Sequence, residues 1–373
     1  MKSGRENVLV PGERFRGYVV ERLLGNGGLG AVYQVHHEER GTLYALKVLY
    51  PDVAEENDSY VKRFLREAKL AAGISHPNLV SVYECGQDEA TGLYYIIMDY
   101  VSGGDLRQAI AFAGRFDPDR AVEVVMQVAS ALDAAQKFKV VHRDIKPENI
   151  MIQPDGLVKL VDLGIAKAEG IGDTLNTLTD SVFGTPSYVA PEQALDPANV
   201  DTRADIYSLG VVLFEMIAGR PPFDGPNAPQ VLAQTLSPDP FPDIRDFNRD
   251  VKPMLAALIR RMCVKERDRR IPDPSSLMRE FAKLGYQLTR PASAQLQYVK
   301  SVETAPTVRS VKEVLEKLPT KGNETLSFET DDVEIREFVS VLKRKRLLRK
   351  TMTAALVAAT ALAAAFIALA LMS

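Results

Sequence analysis

The chain has 373 residues, of which 46 are Lys or Arg and 49 Asp or Glu, and its net charge is −3. At 46% hydrophobic it carries enough apolar material for an ordinary folded core, and its charge is too balanced for nucleic acid to be the partner. Two cysteines, Cys85 and Cys263, are too few for a disulfide framework, which points to a reducing compartment. With the four histidines they show no metal-ligand spacing.

Residues 1–13 read as an N-terminal extension without the apolar run of a signal peptide, so the folded part is expected to stay where it is made. Residues 14–50 alternate with a period near two around a polar turn at Glu38–Gly41, which predicts three antiparallel strands. A helical pattern over 59–73 and a turn at His76–Pro77–Asn78 follow, then strands around Leu79–Glu84 and Leu93–Tyr100. After Gly103–Gly104 the pattern becomes helical, over 118–138, 201–218, 251–263 and 274–284. The fold class is α+β, with a small mostly-β unit (14–100) ahead of a larger mostly-α unit (101–285). Residues 286–342 are a polar linker in which helical periodicity resumes from Asp331.

Gly25-Asn-Gly27-Gly28-Leu29-Gly30-Ala-Val32 matches G-x-G-x-x-G-x-V. Dinucleotide sites share the glycines, but there a helix opens at the last one. Here Val32, Gln34 and His36 continue as a strand, and the next strand ends in Tyr44-Ala-Leu-Lys47. A glycine hairpin followed by a lysine strand suits a flap over a nucleotide triphosphate: bare glycines let backbone N–H groups approach phosphates, and Lys47 supplies a cation.

Further on come Val141-His142-Arg143-Asp144-Ile-Lys146-Pro-Glu-Asn149, then Val161-Asp162-Leu163-Gly164, then Gly184-Thr185-Pro186-Ser-Tyr-Val-Ala190-Pro191-Glu192. In order and spacing these resemble the motifs of the eukaryotic-like (Hanks-type) protein kinases, and phrases such as Phe64-Leu-Arg-Glu67-Ala resemble the bacterial serine/threonine branch. The resemblance covers residues 14–285 and implies a two-lobed kinase fold using ATP with Mg²⁺, or Mn²⁺ in its place. It makes Asp144 the residue that accepts or orients the substrate hydroxyl and Lys146 the cation that neutralises the transferring group. Asn149 and Asp162 become the metal ligands, and Glu67 the partner that holds Lys47. Gly25, Gly27, Gly30 and Val32 fall in the nucleotide flap, Met98 beside the adenine pocket, Asp99 and Val101 at the hinge, and Asp105 near the ribose. Glu192 is expected to pair with Arg270, or with Arg269 after a one-residue shift, and Asp205 to brace the catalytic loop. Leu163 stands where the family usually has phenylalanine, and an apolar side chain still suits that place.

The Asp144-x-Lys146 spacing and Thr185 resemble the serine/threonine class, with protein substrates. Arg143, directly before the catalytic aspartate, is expected to lack a partner until the segment between Asp162 and Glu192 carries a phosphate. Thr177 and Thr179 have the spacing of activating threonines in related bacterial kinases. A pseudokinase scaffold is the competing reading, but it would ordinarily show loss of Lys47, Asp144 or Asp162, and all three are present.

Residues 343–350, KRKRLLRK, carry six positive charges, and the 22 residues of 351–372 carry none. As a helix that stretch is about 33 Å long, enough to cross a bilayer core, and the basic cluster marks its cytoplasmic side. The expectation is a single-pass anchor in the cell membrane with the kinase domain cytoplasmic and, since only Ser373 follows, no outer sensor. Ala355, Ala359 and Ala363 recur every four residues, and Ile335, Phe338, Val339 and Leu342 form an apolar stripe upstream. Both would suit a homodimer.

Overall fold

The computed structural model describes residues 8–56, 58–162 and 186–288. Thr177, Thr179, Leu163, Thr185, the linker beyond residue 288, the basic cluster and the expected anchor lie outside the described residues. Among the described residues no helix is long and apolar enough to cross a membrane. The chain divides near residue 305, and everything described belongs to its first unit.

The N-terminal lobe is an antiparallel sheet: β1 (Arg14–Phe15), β2 (Tyr18–Asn26), β3 (Gly30–His37), β4 (Leu43–Leu49), β5 (Val82–Gln87) and β6 (Tyr94–Asp99), in the order β1-β2-β3-β4-β6-β5. Strand alternation divides its side chains between two faces. Tyr33, Val35, Leu46, Val48 and Ile97 build the lobe's core, with Phe64 of helix α2 (Asp58–Ala72) packed into it. The other face follows from the register. Lys47 lies across from Val32 on one side and Ile96 on the other, and Ala45 lies across from Met98. Cross-strand neighbours share a face, so Lys47, Val32, Ala45 and Met98 are presented together on the face opposite Leu46, Val48 and Ile97.

Two features depart from the pattern read in sequence. Leu9 is buried in this lobe, its N–H donates to Tyr33 Oη at 3.2 Å, and the Gly12 N–H reaches Val20 O at 2.8 Å, so residues 8–13 belong to the lobe and not to an extension. A short helix α1 (Pro51–Glu56) also precedes α2, proline filling its first turn where no N–H is needed.

The C-terminal lobe is built around α4 (Pro118–Lys137) and α6 (Thr202–Ala218), with α3 (Leu106–Ala113), α5 (Pro191–Leu195), α7 (Ala228–Leu236), α8 (Pro253–Met262) and α9 (Pro274–Lys283) about them. α6 is apolar nearly all round and correspondingly buried from Ala204 to Ile217. Gly210 permits its contact with α8, because a Cβ there would stand 2.5 Å from Cys263 Sγ and 2.9 Å from Met262 Cβ. A small sheet, β7 (Gly104–Asp105), β8 (Ile150–Ile152) and β9 (Val158–Leu160), lies at the top of this lobe. These strands are two or three residues long, too short to leave a periodic trace in the sequence.

Candidate active site

The β8–β9 hairpin positions the site. Ile150 pairs with Leu160, so the residues just outside the hairpin, Asn149 and Val161, are neighbours, and Val161 N–H donates to Asn149 O at 2.9 Å. Asn149 and Asp162, far apart in sequence, thereby flank one end of one hairpin. The loop before β8 is pinned from below. Asp205, 1% exposed in α6, accepts the amide N–H of His142 (2.8 Å) and of Arg143 (2.7 Å). Burial pushes its carboxyl up to about 7, against those two amide bonds and the charge of Arg143. His142 is fully buried. Its Nδ1 accepts the Asp144 N–H (3.3 Å), so its Nε2 carries the proton that meets Val161 O at 3.1 Å.

Asp144 emerges from this frame with Lys146 Nζ 3.0 Å from Oδ2 and Asn149 Nδ2 3.0 Å from the same oxygen. Asn149 Nδ2 also donates to Asp144 O at 2.8 Å, which leaves the lone pairs of Asn149 Oδ1 to face a hard cation. Two of the four non-glycine residues with positive φ among the described residues sit here, Arg143 at 64° and Asp162 at 53°. Backbone strain of this kind persists where surrounding bonds over-determine it.

From the opposite lobe Lys47 Nζ reaches Asp162 Oδ1 at 2.6 Å. Burial works against both charges. The mutual attraction prevails, holding the Lys47 ammonium above its ordinary range and Asp162 below the usual carboxylate range. Glu67, which the sequence points to as the holder of Lys47, also raises it through its charge, as does Asp144. The contact that fixes Lys47 here is nevertheless with Asp162, a pairing that depends on how the lobes close. In the flap, Gly30 is required by packing, since a Cβ would meet Val48 O at 2.0 Å, whereas Gly25, Gly27 and Gly28 would meet nothing within 4 Å. Those three leave space for something else to approach, and Gly27 N–H donates to Gly30 O (2.9 Å) to hold the turn.

At the hinge, Asp99 is anchored to both lobes. Its carboxylate takes Tyr83 Oη (2.5 Å), Ser81 N–H (3.1 Å) and Lys159 Nζ (3.0 Å), and its own N–H goes to Ser81 O. Val101 is buried between β6 and β7. Asp105 caps α3, accepting the Gln108 N–H at 2.8 Å, and burial raises its carboxyl pKa. Sequence reasoning missed Lys159, one charge between apolar Val158 and Leu160. Such a residue reads as the outward face of a strand until the partner is seen.

Two further expectations are decided by contacts. Arg270, not Arg269, holds Glu192, with bidentate bonds of 2.5 and 3.0 Å, while Arg269 is exposed beside Glu266. Arg143 is not without a partner. Its guanidinium donates to the carbonyls of Pro197 (3.2 Å) and Val200 (3.3 Å), and burial lowers its pKa against the charge of Asp205.

The donors suit a metal-bound nucleotide. One carboxylate (Asp162) and one amide oxygen (Asn149) are too few to hold a cation alone but enough for one that arrives already bound by phosphates. Among the described residues no cluster of three or more His, Cys, Asp or Glu exists that would hold a metal by itself. A hinged cleft with a glycine flap, a lysine on one wall and an aspartate, lysine and asparagine on the other defines the class as a two-lobed phosphotransferase.

Known proteins place it further. The protein kinase domain family matches residues 18–281, and the chain belongs to that family. It is 37% identical over 271 residues to the serine/threonine-protein kinase PknB of Mycolicibacterium smegmatis, covering 72% of this chain and 43% of that one. It is 37% identical over 256 residues to the serine/threonine-protein kinase PrkC of Bacillus subtilis, covering 68% and 38%. The chain thus spans about two-fifths of the length of these curated relatives. The crystal structure of the Mycobacterium tuberculosis PknI kinase domain superimposes with a TM-score of 0.58 at 31% identity, covering 74% of this chain and 99% of that one.

Proposed function

We propose that this chain is an ATP-dependent serine/threonine protein kinase that phosphorylates proteins, its own Thr177 and Thr179 among them, and is tethered to the cell membrane by residues 351–372. The observation that carries the catalytic part is the contact set Lys47–Asp162 and Lys146–Asp144–Asn149. Every charged group required by phosphoryl transfer is present and held by another. That also disfavours a pseudokinase scaffold. Bound ATP with Mg²⁺ would supply the phosphoryl group, with Asn149 and Asp162 as ligands of the metal and the flap glycines and Lys47 against the phosphates.

The chain's own residues do the rest. Asp144 holds the acceptor hydroxyl in line and takes its proton as the oxygen attacks. Lys146, at 3.0 Å from Asp144, keeps that carboxylate oriented and adds a positive charge where negative charge develops. Asp205 and His142 keep the loop from relaxing. The serine/threonine choice rests on Asp144-x-Lys146 and on relatives described as serine/threonine-protein kinases.

Incubation of the full chain with Mg-ATP is expected to place phosphate on Thr177, Thr179 or both, read by peptide mass spectrometry. The double variant Thr177→Ala/Thr179→Ala should phosphorylate a model protein several-fold more slowly while still binding ATP. No phosphate anywhere would sink the kinase reading, and undiminished activity in the double variant would sink the loop switch alone.

The tether rests on the basic cluster and the uncharged 22-residue stretch. Full-length protein should pellet with membranes and be released by detergent, whereas a chain ending at Leu342 should remain in the supernatant. Recovery of the full-length form in the supernatant overturns the anchor. Pairing of two copies through the Ala355–Ala359–Ala363 face would raise the local concentration of one loop near another site and favour trans-phosphorylation.

A further inference from the structure

Beside the catalytic loop lies a charge cluster that the transfer chemistry does not use. Arg107, the second residue of α3, donates from Nε to Glu148 Oε1 at 2.9 Å and from Nη1 to Glu215 Oε1 at 2.6 Å. Its Nη2 donates to Tyr188 Oη, and the Tyr188 hydroxyl donates to Glu215 Oε2 at 2.5 Å. Two carboxylates therefore face a single cation, and the cluster keeps a net negative charge. Glu148 Oε2 is buried and meets no hydrogen-bond donor among the described residues.

The placement gives this cluster its significance. Glu148 immediately precedes Asn149, which bonds Asp144, and Glu148 lies only four positions beyond Asp144, at most about 14 Å of chain. A substrate whose hydroxyl sits at Asp144 therefore carries its neighbouring side chains past this point. Glu215 and Tyr188 are buried, at 3% and 4% exposed, while the Arg107 and Glu148 side chains are about one-third exposed, so the guanidinium closes the mouth of an acidic recess that would otherwise open at the surface. Two carboxylates and a phenol oxygen converging on one planar cation are the recognition chemistry for an arginine side chain.

We propose that Arg107 is a specificity-determining residue: it fills, from within the chain, the site where a substrate arginine near the phosphoacceptor would bind, and so makes the enzyme indifferent to basic flanking residues. The proposal rests on the kinase reading above. Removing the guanidinium leaves Glu148 and Glu215 facing a hole of the size and charge of the group removed. A substrate arginine entering it would regain the charged hydrogen bonds that Arg107 now makes.

The test uses the full chain and a peptide set in which one arginine or one alanine is placed at each position within four residues of a single threonine. For the wild type, kcat/KM for the arginine and alanine peptides should agree within about threefold at every position. Arg107→Ala should raise that ratio about tenfold or more at one or two positions, the size expected for charged hydrogen bonds gained in a partly buried site. Arg107→Gln, which removes the charge and the guanidinium while keeping a shorter polar side chain, should move it the same way if the alanine variant folds poorly. Adding Glu215→Gln to either should return the ratio to the wild-type value. If Arg107 is only a strut between helices, both peptides lose rate together and the ratio stays flat, which overturns the proposal, as does a strong arginine preference in the wild type. Absence of transfer to any peptide by the wild type removes the kinase reading itself, and the proposal with it.

Discussion

Asp162→Asn and Lys47→Met should each lower phosphate transfer by at least about 10³-fold, because each removes a charge positioned in advance of the transition state. Lys47 and Asp162 meet at 2.6 Å, and both face further carboxylates, since Glu67 and Asp144 act on Lys47 and Asp144 acts on Asp162. Loss of Lys47 leaves Asp162 and Asp144 without the cation between the lobes, so Asp162 loses the attraction that favours its charged form. Loss of the Asp162 charge leaves only a neutral amide oxygen where the anionic ligand stood. Neither side chain of the pair is fully buried, and pairs of this kind contribute only about 0–1 kcal/mol to folding. The unfolding midpoint of either variant should therefore lie within a few degrees of the parent while phosphate incorporation from labelled ATP vanishes. Retained incorporation in both variants would remove these residues from the mechanism. A collapse of the unfolding midpoint would show instead that the pair holds the lobes together.

Arg270→Met should have the largest effect on stability. Its side chain is wholly inside, donates bidentately to Glu192, reaches the carbonyls of Val264, Arg203 and Lys265, and lies 5.1 Å over the ring of Tyr207. Removing one partner of such a pair strands a carboxylate in the interior, at a cost of roughly 3–5 kcal/mol, or about 10 °C in the unfolding midpoint of a domain this size. The double variant Glu192→Met/Arg270→Met should recover part of that loss, because no uncompensated charge remains. Arg269→Met, one residue away on the surface, should change the midpoint by no more than about 1 °C. A small shift for Arg270→Met in differential scanning fluorimetry would mean that the ion pair does not secure this lobe.

The sequence by itself determined the chemistry and the long elements. The kinase motifs carry their residue types at fixed spacing because charge must converge on a phosphoryl group. The helices over 118–137, 253–262 and 274–283 were legible because ten or more residues give a 3.6-residue period several repeats in which to show itself. The two-lobed order followed from the change of period near Gly103–Gly104.

Tertiary structure decided what distance in sequence conceals. The two- and three-residue strands β7 to β9 have no period to read, yet they bring Asn149 and Asp162 to one end of a hairpin. Which arginine of 269 and 270 turns inward depends on the backbone path around it. Lys47 meets Asp162 across 115 positions, Arg107 meets Glu215 across 108, and Lys159 meets Asp99 across 60. A charged side chain on an element's surface reads the same in sequence whether water or another element lies beyond it. Only the packing of the lobes turns those charges into partners, because burial makes an unpaired charge too costly to leave in place.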